Sequence, residues 1–261
     1  MPPATPSTDE LRKLESEDFS LVLGGPLFQL WRRSRLSDEV GNMPHRRAAA
    51  AVLIAWVPLL LLSLVEGRAW GRIELPFLRD LELHARLLVA MPLLILAELV
   101  VHRRMRLVVR QFVEDGLIPD ASRSRFGLAV ASALRLRNSP WAEILLVLLV
   151  YGIGVFVVWR TRLTLDVSSW YEVVADGQLR LTAAGWWLAC VSLPLFQFLL
   201  LRWYFRLFIW ARFLWQVSRI RLDLIPTHPD RCGGLGFLSL VRVAFAPFLF
   251  AQGVLLAGMI A

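Results

Sequence analysis

Ala48–Val65 reads A-A-A-A-V-L-I-A-W-V-P-L-L-L-L-S-L-V, a block without a single charge, flanked by Arg46-Arg47 on one side and Glu66-Gly67-Arg68 on the other. A helix rises about 1.5 Å per residue, so roughly 20 mostly apolar residues cross a hydrocarbon core about 30 Å thick. Four further blocks have this character: 87–101, interrupted by Pro92 and Glu98; 141–159; 183–203; and 240–261, entered from Phe237. Unpaired backbone N–H and C=O groups find no water at such depth, so neither an open strand nor a lipid-exposed loop fits these blocks. Each is expected to be a helix.

Composition supports the same class. Of 261 residues, 57% are hydrophobic and 19% charged, whereas soluble domains sit near 45–50% apolar with about a quarter charged. A water-soluble enzyme is excluded, and so is a disordered chain beyond the N-terminus. The expected fold is an all-α integral membrane protein with about five transmembrane helices, spanning 48–65, 87–101, 141–159, 183–203 and 240–261. The sequence stops on apolar Gly258–Ala261, and a continuation past that point would add a sixth helix. Segment 1–47 is expected to be a cytoplasmic, partly disordered extension of a helical membrane domain over 48–261. Residues 1–20 are polar and acidic, unlike a signal peptide, and Leu21–Trp31 is too short to span and suits an interfacial segment.

Orientation follows from Lys and Arg. Segments 1–47, 102–140 and 202–236 carry 21 of these residues, against seven in 66–86 and 160–182. The positive-inside rule places the N-terminus in the cytoplasm. The net charge of +8 then suits a bilayer with anionic lipids at the basic inner face. Nucleic acid is not expected as a partner, because no stacked aromatic-basic module accompanies the charge.

Outside, the segment T-L-D-V-S-S-W-Y-E-V-V-A-D-G-Q-L-R-L-T (164–182) places Asp176-Gly177 between two strand-like runs. An Asp-Gly pair supplies the positive φ of a tight turn, which predicts a small exterior β-hairpin. Inside, His102-Arg103-Arg104 reads as a stop at the membrane surface, followed by a basic, partly helical loop. From Trp203 to Arg221 aromatics alternate with Arg206, Arg212 and Arg219, as in a helix that leaves the bilayer with its arginines snorkelling. Cys190 and Cys232 fall in different compartments of this topology, so no disulfide is expected.

Signatures of nucleotide binding, serine hydrolysis and zinc helices are absent, and no cofactor, metal or catalytic residue is assigned. The one dense constellation is the inner loop Ile225-Pro226-Thr227-His228-Pro229-Asp230-Arg231-Cys232-Gly233-Gly234-Leu235-Gly236. Its glycines, ahead of a helix, suit backbone N–H groups that face an anion. His228, Asp230, Arg231, Gly233 and Gly234 are the candidate ligand-binding residues, for an anionic or phosphate-bearing ligand. The bland alternative is a re-entry turn in which Asp230 caps backbone and His228 is merely exposed. A metal on His228, Asp230 and Cys232 would need another ligand. Ionisable residues in spans are functional candidates by default, and Glu98, Glu143, Arg206 and Arg242 share the depth of the inner loop, as a pairing cluster would.

Three motifs together, L-P-F-L-R-D-L-E-L-H (75–84), P-L-L-I-L-A-E (92–98) and T-H-P-D-R-C-G-G-L-G-F-L (227–238), resemble those of an uncharacterised family of bacterial multi-pass membrane proteins. The resemblance implies the bacterial inner membrane and transfers no activity. The use of 28 Arg against one Lys agrees with a GC-rich bacterial genome. Three function classes stay open: a binding, sensory or scaffold membrane protein; a small-solute transporter; and a membrane-surface enzyme acting on a lipid or phosphate headgroup. A homo-oligomer or a partner subunit fits any of them.

Overall fold

The computed structural model describes residues 44–71, 73–161, 169–175 and 178–261, which are mainly helical. In chain order, α1 (His45–Val65), α2 (Leu81–Glu114), α3 (Asp120–Arg137) and α4 (Pro140–Thr161) lead to β1 (Glu172–Ala175) and β2 (Gln178–Leu181), and α5 (Ala183–Val217) and α6 (Gly236–Ile260) follow. Of these, α1, α2, α5 and α6 are long and apolar enough to cross a membrane. α4 covers the third expected span over 22 residues, with Pro140–Gly152 as its described apolar part. The two strands pair antiparallel, Glu172 opposite Leu181 and Ala175 opposite Gln178. The Asp176-Gly177 turn lies outside the described residues, as does the N-terminal segment up to residue 43.

Two helices are longer than the spans read from hydropathy. α2 starts at Leu81 rather than 87, because Asp80 caps it: the Leu83 N–H donates to Asp80 Oδ1 at 2.9 Å. It also runs through His102-Arg103-Arg104 instead of stopping there. Arginine is a good helix former, and past residue 100 the helix becomes amphipathic, with Met105, Val108 and Phe112 buried and Arg103, Arg104 and Arg110 exposed. Charge ends the apolar run without ending the helix. α5 continues to Val217 in the same way.

The chain forms two compact units. One comprises Ala97–Glu143 and Tyr204–Ala246, around an aromatic core in which Phe126 lies 5.9 Å from both Phe112 and Phe213, and Phe237 stands edge-on to Phe112 at 4.9 Å. The other holds the described residues up to Leu96, with Ile144–Trp203 and Pro247–Ala261. Within this second unit a Cβ on Gly258 of α6 would come to 2.8 Å from that of Ala85 on α2, the close small-residue approach common between membrane helices.

Prolines shape the second unit. Pro58 has no N–H for the carbonyl of Ile54, and α1 breaks at Trp56. The orphaned carbonyls are taken up by α5: Trp187 Nε1–H donates to Ile54 O at 3.1 Å, and the buried Ser192 hydroxyl to Ala55 O at 2.7 Å. In α2 and α5 a π-helical stretch precedes each proline: Ala85–Ala90 before Pro92, Leu188–Ser192 before Pro194. The wider turn moves donors one residue on, so that Met91 and Leu193 bond the carbonyls of Arg86 and Leu188.

Removing the Ser192 hydroxyl leaves Ala55 O without that donor in apolar surroundings. Ser192→Ala is expected to destabilise the protein by about 1–2 kcal/mol, with Trp187→Phe similar, read as loss of thermal stability in detergent. Cys190→Ser, on an exposed position of the same helix, is the control and should be neutral.

Candidate functional site

The loop of residues 225–236 closes on Asp230. Its Oδ1 accepts the N–H of Cys232 at 2.9 Å and of Gly234 at 3.1 Å, and its Oδ2 that of Gly236 at 2.7 Å. Positive φ at Arg231 (55°), Gly233 (67°) and Gly234 (95°) turns alternate N–H groups toward one point, the concave arrangement that binds anions. Glycine is required for packing as well. A Cβ at Gly236 would press on the Asp230 carboxylate, and one at Gly234 on Leu117. The loop is tied down by Asp223 N–H to Leu117 O (2.9 Å) and Ile225 N–H to Gly233 O (3.2 Å).

The sequence led to an expectation of glycine N–H groups facing a ligand. In the structure the N–H groups of Cys232, Gly234 and Gly236 all face the chain's own carboxylate, since Asp230 lies close enough along the backbone to reach them. His228 Nδ1 sits 2.8 Å from Asp230 Oδ1. A carboxylate has no proton to give, so Nδ1 carries the hydrogen in this contact. The Asp230 N–H, 3.4 Å from the same Nδ1, is too long to compete. Desolvation acts to raise the Asp230 pKa, but the N–H donors of Cys232, Gly236 and Gly234, with the His228 ring, hold it well below the usual carboxylate range. Thr227, Pro229, Arg231 and Cys232 are exposed, and His228 is partly so.

Inside the same unit, Arg206 of α5 donates from Nη2 to Glu98 Oε1 of α2 at 2.7 Å, their side chains 3% and 9% exposed. His102, one turn further along α2, is buried too. The other two residues expected at this depth sit differently: Glu143 is half-buried in the first turn of α4 and Arg242 is exposed on α6. Among the described residues no group of three His, Cys, Asp or Glu is placed to hold a metal ion.

A second polar knot escaped the sequence. Asp80 accepts the indole N–H of the fully buried Trp170 at 3.0 Å while capping α2, and Phe77 packs edge-on against Trp170 with ring centres 5.0 Å apart. Asp80 belongs to the 75–84 motif, and an aspartate before an apolar helical run is a readable cap. Its indole partner, 90 residues away, had no local signal. Comparison of the chain with protein-family models, with curated proteins and with solved structures finds no match.

Two stability predictions follow from this geometry. A carboxyl with a depressed folded pKa contributes stability above its unfolded value, near 3.9, and loses it as pH falls through the folded one. Asp230→Asn should therefore melt several degrees below wild type at neutral pH, with the two curves converging as pH drops below about 4. For the buried pair, Glu98→Gln or Arg206→Met alone should cost about 3–5 kcal/mol, and the double substitution less than the sum, because neither charge is then left alone. Equal and additive losses would show that the two side chains are not coupled.

Proposed function

We propose that the protein is a multi-pass inner-membrane protein of bacteria, of the family that its three motifs resemble, acting as a binding or scaffold component. In this reading α1, α2, α4, α5 and α6 cross the bilayer and the N-terminus lies in the cytoplasm. The observation that carries it is an inside-out distribution of side chains. Leu53, Ile54, Leu61 and Leu64 of α1, Leu145, Leu148 and Leu149 of α4, and Leu249, Phe250 and Leu256 of α6 are exposed, while Glu98 and Arg206 are buried. A water-facing protein does not leave such patches open, and five hydrocarbon-facing helices explain them. α4 supports its own place as a span: over Ile144–Tyr151 only Leu146 and Val150 are buried.

The inner loop is then a rigid cytoplasmic feature. An anionic or phosphate-bearing ligand would be held by the side chains of Arg231 and His228, the Asp230 nest being filled from within. This arrangement favours binding over turnover, since the Asp230 carboxylate is taken up by three backbone N–H groups and the His228 ring. The proline breaks and π turns in α1, α2 and α5 favour a small-solute transporter as the second reading.

Native thiols test the topology. Cys232 is exposed in the loop and Cys190 on α5, where hydrocarbon would keep a membrane-impermeant reagent away. A membrane-impermeant maleimide should label the protein in inverted vesicles but not in intact spheroplasts, and Cys232→Ser should abolish the signal. Labelling from outside would overturn the orientation. For the ligand, thermal unfolding against a panel of phosphates and nucleotides should show concentration-dependent stabilisation that Arg231→Ala and His228→Ala remove. A response unchanged in both variants excludes the loop.

A further inference from the structure

Beyond the expected span α5 buries one arginine, Arg206, and exposes three large aromatics, Tyr204, Phe208 and Trp215. Along Tyr204–Arg219, Arg206, Ile209, Trp210, Phe213 and Val217 are buried. The opposite face exposes Tyr204, Phe208 (56%), Ala211, Trp215 (59%) and Arg219, spaced at three and four residues, so that they form one stripe. The Arg219 guanidinium lies 5.5 Å over the Trp215 ring, and Arg221 is exposed just beyond the helix.

Neighbouring helices of the same unit behave oppositely. α3 exposes Arg123, Ser124, Arg125 and Arg135 around a single large apolar side chain, Leu128, and the second half of α2 exposes Arg103, Arg104, Arg110 and Glu114 around one, Leu107. Those are water-facing patterns. Length adds a second argument: α5 has 35 residues, about 52 Å at 1.5 Å each, against about 30 Å of hydrocarbon and 40–45 Å with headgroups. The aromatic stripe therefore continues past the depth at which a perpendicular helix would leave the lipid.

We infer that this stripe is a docking face for the anionic headgroup layer, with Tyr204, Phe208 and Trp215 seated at the acyl boundary and Arg219 and Arg221 pairing with lipid phosphates. The inference rests on the proposed membrane crossing and assigns a lipid class to one helix face. Tyrosine and tryptophan favour the headgroup level, and arginine there places its stem along apolar surface and its charge outward. A second copy of the chain fits less well, because two such faces would bring like charges together.

The test uses the full chain with Cys190 and Cys232 replaced by serine, carrying a spin label at Phe208→Cys, Trp215→Cys, Arg125→Cys or Leu148→Cys, in nanodiscs. Labels at 208 and 215 should collide with oxygen in preference to an aqueous nickel chelate, and the label at 125 the reverse. Label 215 should sit deeper in phosphatidylcholine/phosphatidylglycerol discs than in phosphatidylcholine alone, and Arg219→Gln with Arg221→Gln, or high salt, should remove the difference. No difference between the lipids overturns the anionic assignment. Nickel access at 208 and 215, with 148 still in hydrocarbon, overturns the docking face while leaving the crossing intact. Nickel access at 148 as well overturns the crossing of α4. Spin–spin broadening that vanishes on dilution with unlabelled protein overturns lipid in favour of a second copy.

Discussion

A backbone carbonyl that loses its donor away from water must find another, and the contact of α1 with the first half of α5 is organised around that constraint. Pro58 breaks α1 and frees carbonyls at Ile54 and Ala55; Trp187 and Ser192 meet them. Those two side chains offset part of the cost of the proline and at the same time tie α1 to α5. The π turns ahead of Pro92 and Pro194 answer the same demand within a single helix, by shifting the donors one residue along.

The same demand operates in the inner loop, in a polar setting. Prolines and glycines there prevent any regular ladder, so the N–H groups of Cys232, Gly234 and Gly236 need another partner, and Asp230 supplies it. In the aromatic-cored unit the cost falls on charge rather than backbone: Glu98 and Arg206 are tolerable in the interior only together.

What could be read from the sequence is what depends on composition over a window. The positions of α1, α2, α5 and α6 follow from hydropathy, because burial in lipid needs an unbroken apolar run. Their ends do not, because α2 past Val101 and α5 past Trp203 exchange an all-round apolar surface for an amphipathic one, and arginine continues a helix as readily as leucine. The pairing of β1 with β2 was legible from the composition of two short runs. Partnerships across the chain were not. Depth placed Glu98 and Arg206 on one level without distinguishing them from Glu143 and Arg242, since depth carries no information about which helix faces which. Asp80 and Trp170 had no shared signal at all. In the 225–236 loop the glycines mark a curve of the backbone, but a sequence does not show which group its N–H donors meet, here the Asp230 carboxylate.

That the anion is internal bears on what the loop can do. A loop built to receive a phosphate on its backbone keeps those N–H groups free and tolerates movement as the ligand enters. Here three of them, together with the His228 ring, converge on one carboxylate, and the glycines that permit the curve also leave no space for a side chain at Gly234 or Gly236. The result is a stiff surface that presents Thr227, Pro229, Arg231 and Cys232 outward. Stiffness of this kind lowers the entropy lost when a partner binds. In the proposed reading, recognition would rest on the outward side chains, with the backbone beneath them held by Asp230.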